Sequence, residues 1–134
     1  TADVTSWKYL GEPDGTPREA EKLRDIPHTI RVFEISGPLF FAAADQILQI
    51  NSDKATRVIV IRMRSVPAID ASAMKSLREL ADRAKKKKIT LVFSHVNEQP
   101  MSVMVKDGFT EYVGAQNFHA NIVEALDYAE NLVK

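Results

Sequence analysis

From Thr29 to the end of the chain, short continuous apolar runs alternate with longer stretches in which apolar residues recur every three or four positions. The first pattern reads as buried strand and the second as amphipathic helix. Ile30, Val32, Phe33 and Ile35 form a β-rich run that stops at Ser36-Gly37-Pro38, where glycine permits an unusual dihedral and proline withholds a donor. Leu39-Phe40-Phe41 is expected to continue as a short strand before a helix from Ala43 to Ile50, broken by Asn51-Ser52-Asp53. Val58-Ile59-Val60-Ile61 is apolar and β-branched without interruption, the pattern of a strand covered on both faces, and is assigned to the centre of the sheet.

A second helix is predicted where Ala71, Met74, Leu77, Leu80, Ala81 and Ala84 share one face, with Asp70 as N-cap. It ends in Lys85-Lys86-Lys87-Lys88, where cations suit the carbonyl end of the helix dipole. Ile89 to Phe93 reads as another buried strand. A short helix through Met101, Met104 and Val105 follows, stopped by Gly108. The last helix opens at Asn121, with Glu124 three residues on, and carries Ile122, Ala125, Leu126, Ala129, Leu132 and Val133. Before Thr29 the pattern fades. A short first strand from Val4 to Leu10 leads into residues 11–27, whose prolines, glycines and charges read as a surface connector, or over its first half as a flexible tether. The expectation is an α/β fold, a mixed sheet of about four to five strands with about four helices. It forms one domain over residues 1–134, with strand and connector in 1–28 and the α/β core in 29–134.

Composition narrows the partners. Eighteen Lys and Arg cancel 18 Asp and Glu, so there is no basic excess of the kind nucleic acid binding needs, and an electrostatic partner must be met by a local patch. Cysteine is absent, which removes disulfides, thiolate metal sites and thiol nucleophiles. No apolar run approaches the roughly 18 to 20 residues that cross a bilayer, and Thr1-Ala2-Asp3-Val4 does not resemble a secretory signal. The chain as given is expected to be soluble, and its start without Met fits a piece of something longer.

Three stretches carry a family resemblance. Ile35-Ser36-Gly37-Pro38-Leu39-Phe40-Phe41-Ala42-Ala43-Ala44 resembles the segment near the start of the STAS domain (sulfate transporter and anti-sigma factor antagonist) of SulP anion permeases. Arg57 to Ser72 resembles that family's central strand, loop and Asp-led helix start. Gln99-Pro100 with Lys106-Asp107-Gly108-Phe109 is similar to its third helix and Gly-Phe exit. The likeness runs in register from about Thr29 to Leu132. It implies a STAS (SpoIIAA-like) fold, in a regulatory or assembly domain of a transporter for sulfate or another small anion. Such a domain lies on the cytoplasmic face of the bacterial inner membrane, with its own transmembrane domain as first partner. It also implies kinship with anti-sigma factor antagonists, which act by protein contact, and a free-standing protein of that kind is the alternative.

In the antagonists, the residue after the helix-capping Asp is a serine that a kinase phosphorylates. Here that position is Ala71, which has no hydroxyl, and Ser72 points about 100° further round the helix, so the site does not pass to it. Asp70 reads first as a cap. Its helix start also offers N–H groups to an anion, but the Asp70 carboxylate opposes a second negative charge. Phe40 and Phe41 are a candidate contact surface, with core packing expected for one of them. Arg83, Lys85, Lys86, Lys87 and Lys88 read as a solvated helix end, or as a patch for anionic lipid or an acidic cytoplasmic protein. A homodimer is left open.

Nothing in the chain builds a catalytic constellation. His28, His95 and His119 lie far apart and read as surface or loop-end groups, with no helix-spaced ligand pair for a metal. Gly37 is followed by Pro38, which removes an N–H that a phosphate-cradling loop would use. Ser36-Gly37 and Arg64-Ser65 stand where a receiver domain would carry acidic residues, and no Gly-x-Ser-x-Gly elbow occurs. The expected protein is not an enzyme and takes no cofactor.

Overall fold

The computed structural model describes residues 3–6, 16–40 and 44–134. Its strands are β1 (Asp3–Ser6), β2 (Ile30–Ser36), β3 (Val58–Ser65), β4 (Thr90–Ser94) and β5 (Phe118–His119). The sheet order follows the chain, β1-β2-β3-β4-β5; β1 runs antiparallel to β2, and β2 to β5 are parallel. The α-helices are α1 (Pro17–Arg24), α2 (Ala71–Lys86), α3 (Glu98–Asp107), α4 (Phe109–Val113) and α5 (Ile122–Leu132).

The central strand behaves as its composition requires. Ile59, Ile61 and Met63 enter one core beneath α2 and α3, with Leu77, Met104 and Phe109. Val58 and Val60 enter a second core beneath α1 and α5, with Leu23, Ile122, Leu126 and Ala129. Alternate side chains of a strand point to opposite faces, so a strand buried on both sides needs an unbroken apolar run.

The ends of the main helices match their local signals. Asp70 caps α2, Asn121 caps α5 through Glu124 N, and Gly108 ends α3 in the left-handed region at φ 81°. Three expectations need correction. Residues 11–27 are not all connector: α1 lies within them, started by a capping box of Thr16 and Glu19 with Pro17 in the first turn. Only Ala20 and Leu23 of α1 are buried, too few apolar positions to show a period, and Lys22 ties it to Asp127 and Glu130 of α5.

The helix expected over 43–50 is a 3-10 helix, Ala44–Gln49, and Leu39 makes one parallel bridge to Ile69 in place of a strand; residues 41–43 lie outside the described residues. The first strand is described only at 3–6, so its expected continuation to Leu10 also lies outside them. Finally, α4, the 3-10 turn Ala115–Asn117 and β5 were not predicted, which makes five α-helices among the described residues in place of about four. Two-residue strands and single turns are below the length at which periodicity can be read.

Candidate functional site

The loop between β3 and α2 is held from both sides. On one side, Gly37 N donates to Ser65 O at 2.9 Å, Leu39 N to Ala68 O at 2.9 Å, and Asp70 N to Leu39 O at 3.1 Å. On the other, the Gln99 side chain takes the place of a strand. Its Oε1 accepts from Ile69 N at 2.9 Å and its Nε2 donates to Ile69 O at 3.0 Å. Asn97 Nδ2 donates to Arg64 O and Val66 O. A primary amide carries both a donor and an acceptor and can therefore satisfy both polar groups of one residue. Asn97 stands at the N-cap position of α3 yet makes no capping bond; its Nδ2 is turned to the loop. Neither role was read from the sequence. The usable signal is two amide residues flanking a helix start, but a cap is what local rules assign to them.

Fixed in this way, the loop delivers Asp70, whose Oδ1 accepts from Ala73 N at 3.0 Å. Ile69, Ala73 and Met74 turn into the core, Ala71 is exposed, and Ser72 is half-buried. The Leu39–Ile69 bridge sets Phe40 beside Asp70 on the paired segments, and Phe40 is 49% exposed. Phe41 lies outside the described residues. The structure therefore brings Phe40, Asp70 and Ala71 to one surface at the carboxyl ends of the parallel strands. Asp70→Ala should lower stability by about 1 kcal/mol, read as a shift in the urea midpoint; no shift would mean that another group caps α2.

The basic run is not part of that surface. It lies at the other end of α2, about 24 Å away by the rise of an α-helix. Nor is it one patch. Arg83 Nη2 donates to Leu48 O at 3.0 Å, whereas Lys85 Nζ sits 4.5 Å from the Tyr112 ring centroid, on the side of α4. Lys86, Lys87 and Lys88 are exposed, and Lys88 turns the chain at φ 59°. Lys85 thus leaves the predicted group.

A row of polar residues crosses the sheet near the same carboxyl ends, on the face covered by α1 and α5. Glu34 pairs with Arg62, Arg62 with Ser94, and Ser94 with His119 in strand register. Arg62 is only 2% exposed and its Nη2 lies 3.4 Å from Glu19 Oε2 on α1. Burial pulls its pKa below the ordinary value, against the carboxylates of Glu34 and Glu19. Arg64 grips Glu34 with two bonds, at 2.9 and 3.3 Å. His119 is half-buried in β5, with its ring 4.6 Å from that of Tyr128, and so is more enclosed than a loop-end group. His28 and His95 are exposed.

YvdB of Bacillus subtilis, whose name places it among sulfate transporters, is 27% identical over 93 residues, 67% of this chain. The chain spans 18% of the length of the curated relatives it matches. Among solved structures, a sulfate transporter family protein from Wolinella succinogenes is 31% identical with a TM-score of 0.77, covering 88% of this chain and 98% of that one. The STAS domain of a SulP transporter from Vibrio cholerae shares the fold at a TM-score of 0.73 and 24% identity, with the same coverage of both chains. The anti-sigma factor antagonist SpoIIAA shares it more distantly, at a TM-score of 0.52 and 16% identity, over 78% of this chain and 93% of its own. The family model for the STAS domain matches residues 20–125. That span takes in all the parallel strands and the helices joining them, and the chain belongs to the STAS domain family.

Proposed function

We propose that this chain is the cytoplasmic regulatory or assembly domain of a membrane transporter for sulfate or another small anion, and that it works by protein contact and not by catalysis. The observation that carries this reading is one of coverage. The chain aligns with nearly the whole of the Wolinella sulfate transporter family structure, yet with 18% of the length of the curated transporters it resembles. A stretch that matches nearly the whole of one folded chain and a small share of a much longer one behaves as a separable domain. Among the described residues no helix is long and apolar enough to cross a membrane, so transport would rest on another part of the protein.

Within this reading the contact surface is Phe40 with the start of α2. An exposed aromatic beside a rigidly held helix start offers apolar area without loss of order on binding. Ala71 there has no hydroxyl, so contact is not switched by phosphorylation as in the antagonists that share the fold. This weighs against the free-standing antagonist reading.

The test uses the full-length gene in a bacterium lacking its own sulfate uptake. Phe40→Asp should cut uptake about tenfold, the loss of one interface residue worth ~1.4 kcal/mol, while the isolated domain unfolds as wild type does. Unchanged uptake, or a full-length product found outside the membrane fraction, would defeat the proposal.

A further inference from the structure

The chain is neutral overall, but the end of the molecule formed by the amino-terminal ends of β2, β3 and β4 is not. There the loop before β3 brings Lys54 to the end of α2, where Arg83, Lys86, Lys87 and Lys88 are exposed. Among the described residues, Lys54, Lys86, Lys87 and Lys88 make no salt bridge. The carboxylate of Asp53, exposed in the same loop, is engaged locally: its Oδ1 accepts from Ala55 N, Thr56 N and Thr56 Oγ1. Those bonds, that of the Thr56 hydroxyl first, hold its pKa below the usual carboxylate value.

The surface is concave as well as basic. A cleft of about 410 Å³ lies between Lys54 and Lys87, lined also by Ser52, Asp53, Thr56 and Ile89. It shares Ser52, Lys87 and Ile89 with a smaller hollow of about 90 Å³, lined also by Leu48, Ile50 and Leu80, with Arg83 beside them. Ile89 with Leu48, Ile50 and Leu80 of the adjoining hollow gives an apolar floor, and Lys54, Lys87 and Arg83 around it outnumber the one carboxylate of Asp53. That arrangement fits an apolar side chain flanked by carboxylates, whereas a flat headgroup layer has no use for a cleft.

Orientation bears on the source of the negative charge. β1 begins beside the end of β2, with Asp3 opposite Ser36. On the reading proposed above, on which this step rests, a transmembrane part ahead of Asp3 joins the domain at the Phe40 and Asp70 end. The basic end then faces away from the bilayer, about 24 Å along α2.

We infer that the end of the domain bearing Lys54, Arg83, Lys86, Lys87 and Lys88 is a docking site for an acidic segment of a protein partner, with an apolar residue of that segment seated over Ile89. The test measures binding of the 134-residue chain to a labelled short peptide of repeating Glu-Glu-Leu triplets, by fluorescence anisotropy. Binding is expected at about 50 mM salt and should weaken at about 300 mM. The combined variant Lys86→Gln, Lys87→Gln, Lys88→Asn should weaken it about tenfold, and replacing Leu by Ser in the peptide should weaken it further. Asparagine is used at position 88 because it accepts the left-handed backbone there. A control with the same charge removed elsewhere, Arg18→Gln, Lys75→Gln, Lys106→Gln, should bind as wild type does.

Equal loss in the control, no binding of the peptide, or peptide binding indifferent to its leucines would overturn the inference. So would attachment of the chain to phosphatidylcholine vesicles containing phosphatidylglycerol that the peptide does not displace. These readouts need no transport, so they separate this inference from the transporter reading. Peptide binding without any effect of Phe40→Asp on uptake would leave the docking site standing and remove the transporter.

Discussion

Arg62→Met is expected to destabilise the domain by about 3 kcal/mol, the lower end of the cost of breaking a buried ion pair. The guanidinium lies almost wholly within the fold, between the sheet and α1, with Glu19 at 3.4 Å and the charge of Glu34 nearby. Methionine restores the volume but leaves two carboxylates facing a site from which water is largely excluded. Glu34 keeps Arg64, so the uncompensated charge falls mainly on Glu19, and this sets the estimate at the low end. Adding Glu19→Gln should recover about 1 kcal/mol of the loss, because glutamine removes the charge and still completes the capping box with Thr16. Urea unfolding of the two variants checks both steps. If Arg62→Met unfolds at the wild-type midpoint, the row is hydrated and the ion pair carries no structural role.

Phe93→Ala should cost about 3–5 kcal/mol, as expected for a large side chain removed from a close-packed interior. Phe93 is fully buried and its ring stands between two others: Phe118 stacked at 5.0 Å and 9°, and Phe109 edge-on at 5.6 Å and 76°. Each such contact adds about 0.5–1.5 kcal/mol beyond the area buried. The loss is not spread evenly, because β5 is only Phe118 and His119, and they pair with Phe93 and Ser94. Hydrogen exchange should therefore speed up at β5 and α4 before β2 and β3 are affected. Phe93→Leu, which keeps most of the volume, should cost about 1–2 kcal/mol. Uniform loss of protection across the sheet in either variant would show that β5 is held by something other than this aromatic stack.

These two residues also lie beyond the reach of local sequence signals. Phe93 was assigned to a buried strand from its neighbours Leu91 and Val92, but its ring partners come from α4 and β5, too short to leave a period. Arg62 and Arg64 sit in a strand whose first four residues announce burial, and nothing local says that Arg62 is buried too and Arg64 half-buried. Their partners, Glu34 and Glu19, lie in other elements, one of them a helix that was read as connector. Of the candidate site, Asp70 was legible because a cap is a relation across three residues, while Ala71 was singled out only by the family resemblance. Gln99 was noticed only as part of a resemblance; its pairing with Ile69 spans thirty positions.

By itself the sequence determined the strands at 30–36 and 90–94 within a residue or two, the first half of the strand at 58–65, and the long helix between the last two strands with its Asp70 cap. It also determined the stop at Gly108 and the start at Asn121. Each of these follows from spacing or backbone preference among residues a few positions apart. Only the tertiary structure decided that Pro17–Arg24 is a helix, since its stability comes from Leu23 in the second core and Lys22 bonded to α5. Only it separated Lys85, drawn to Tyr112, from Lys86 to Lys88. And only it set the basic end opposite the surface of Phe40 and Asp70, because a helix that joins two parallel strands runs back along them and ends beside their amino-terminal ends.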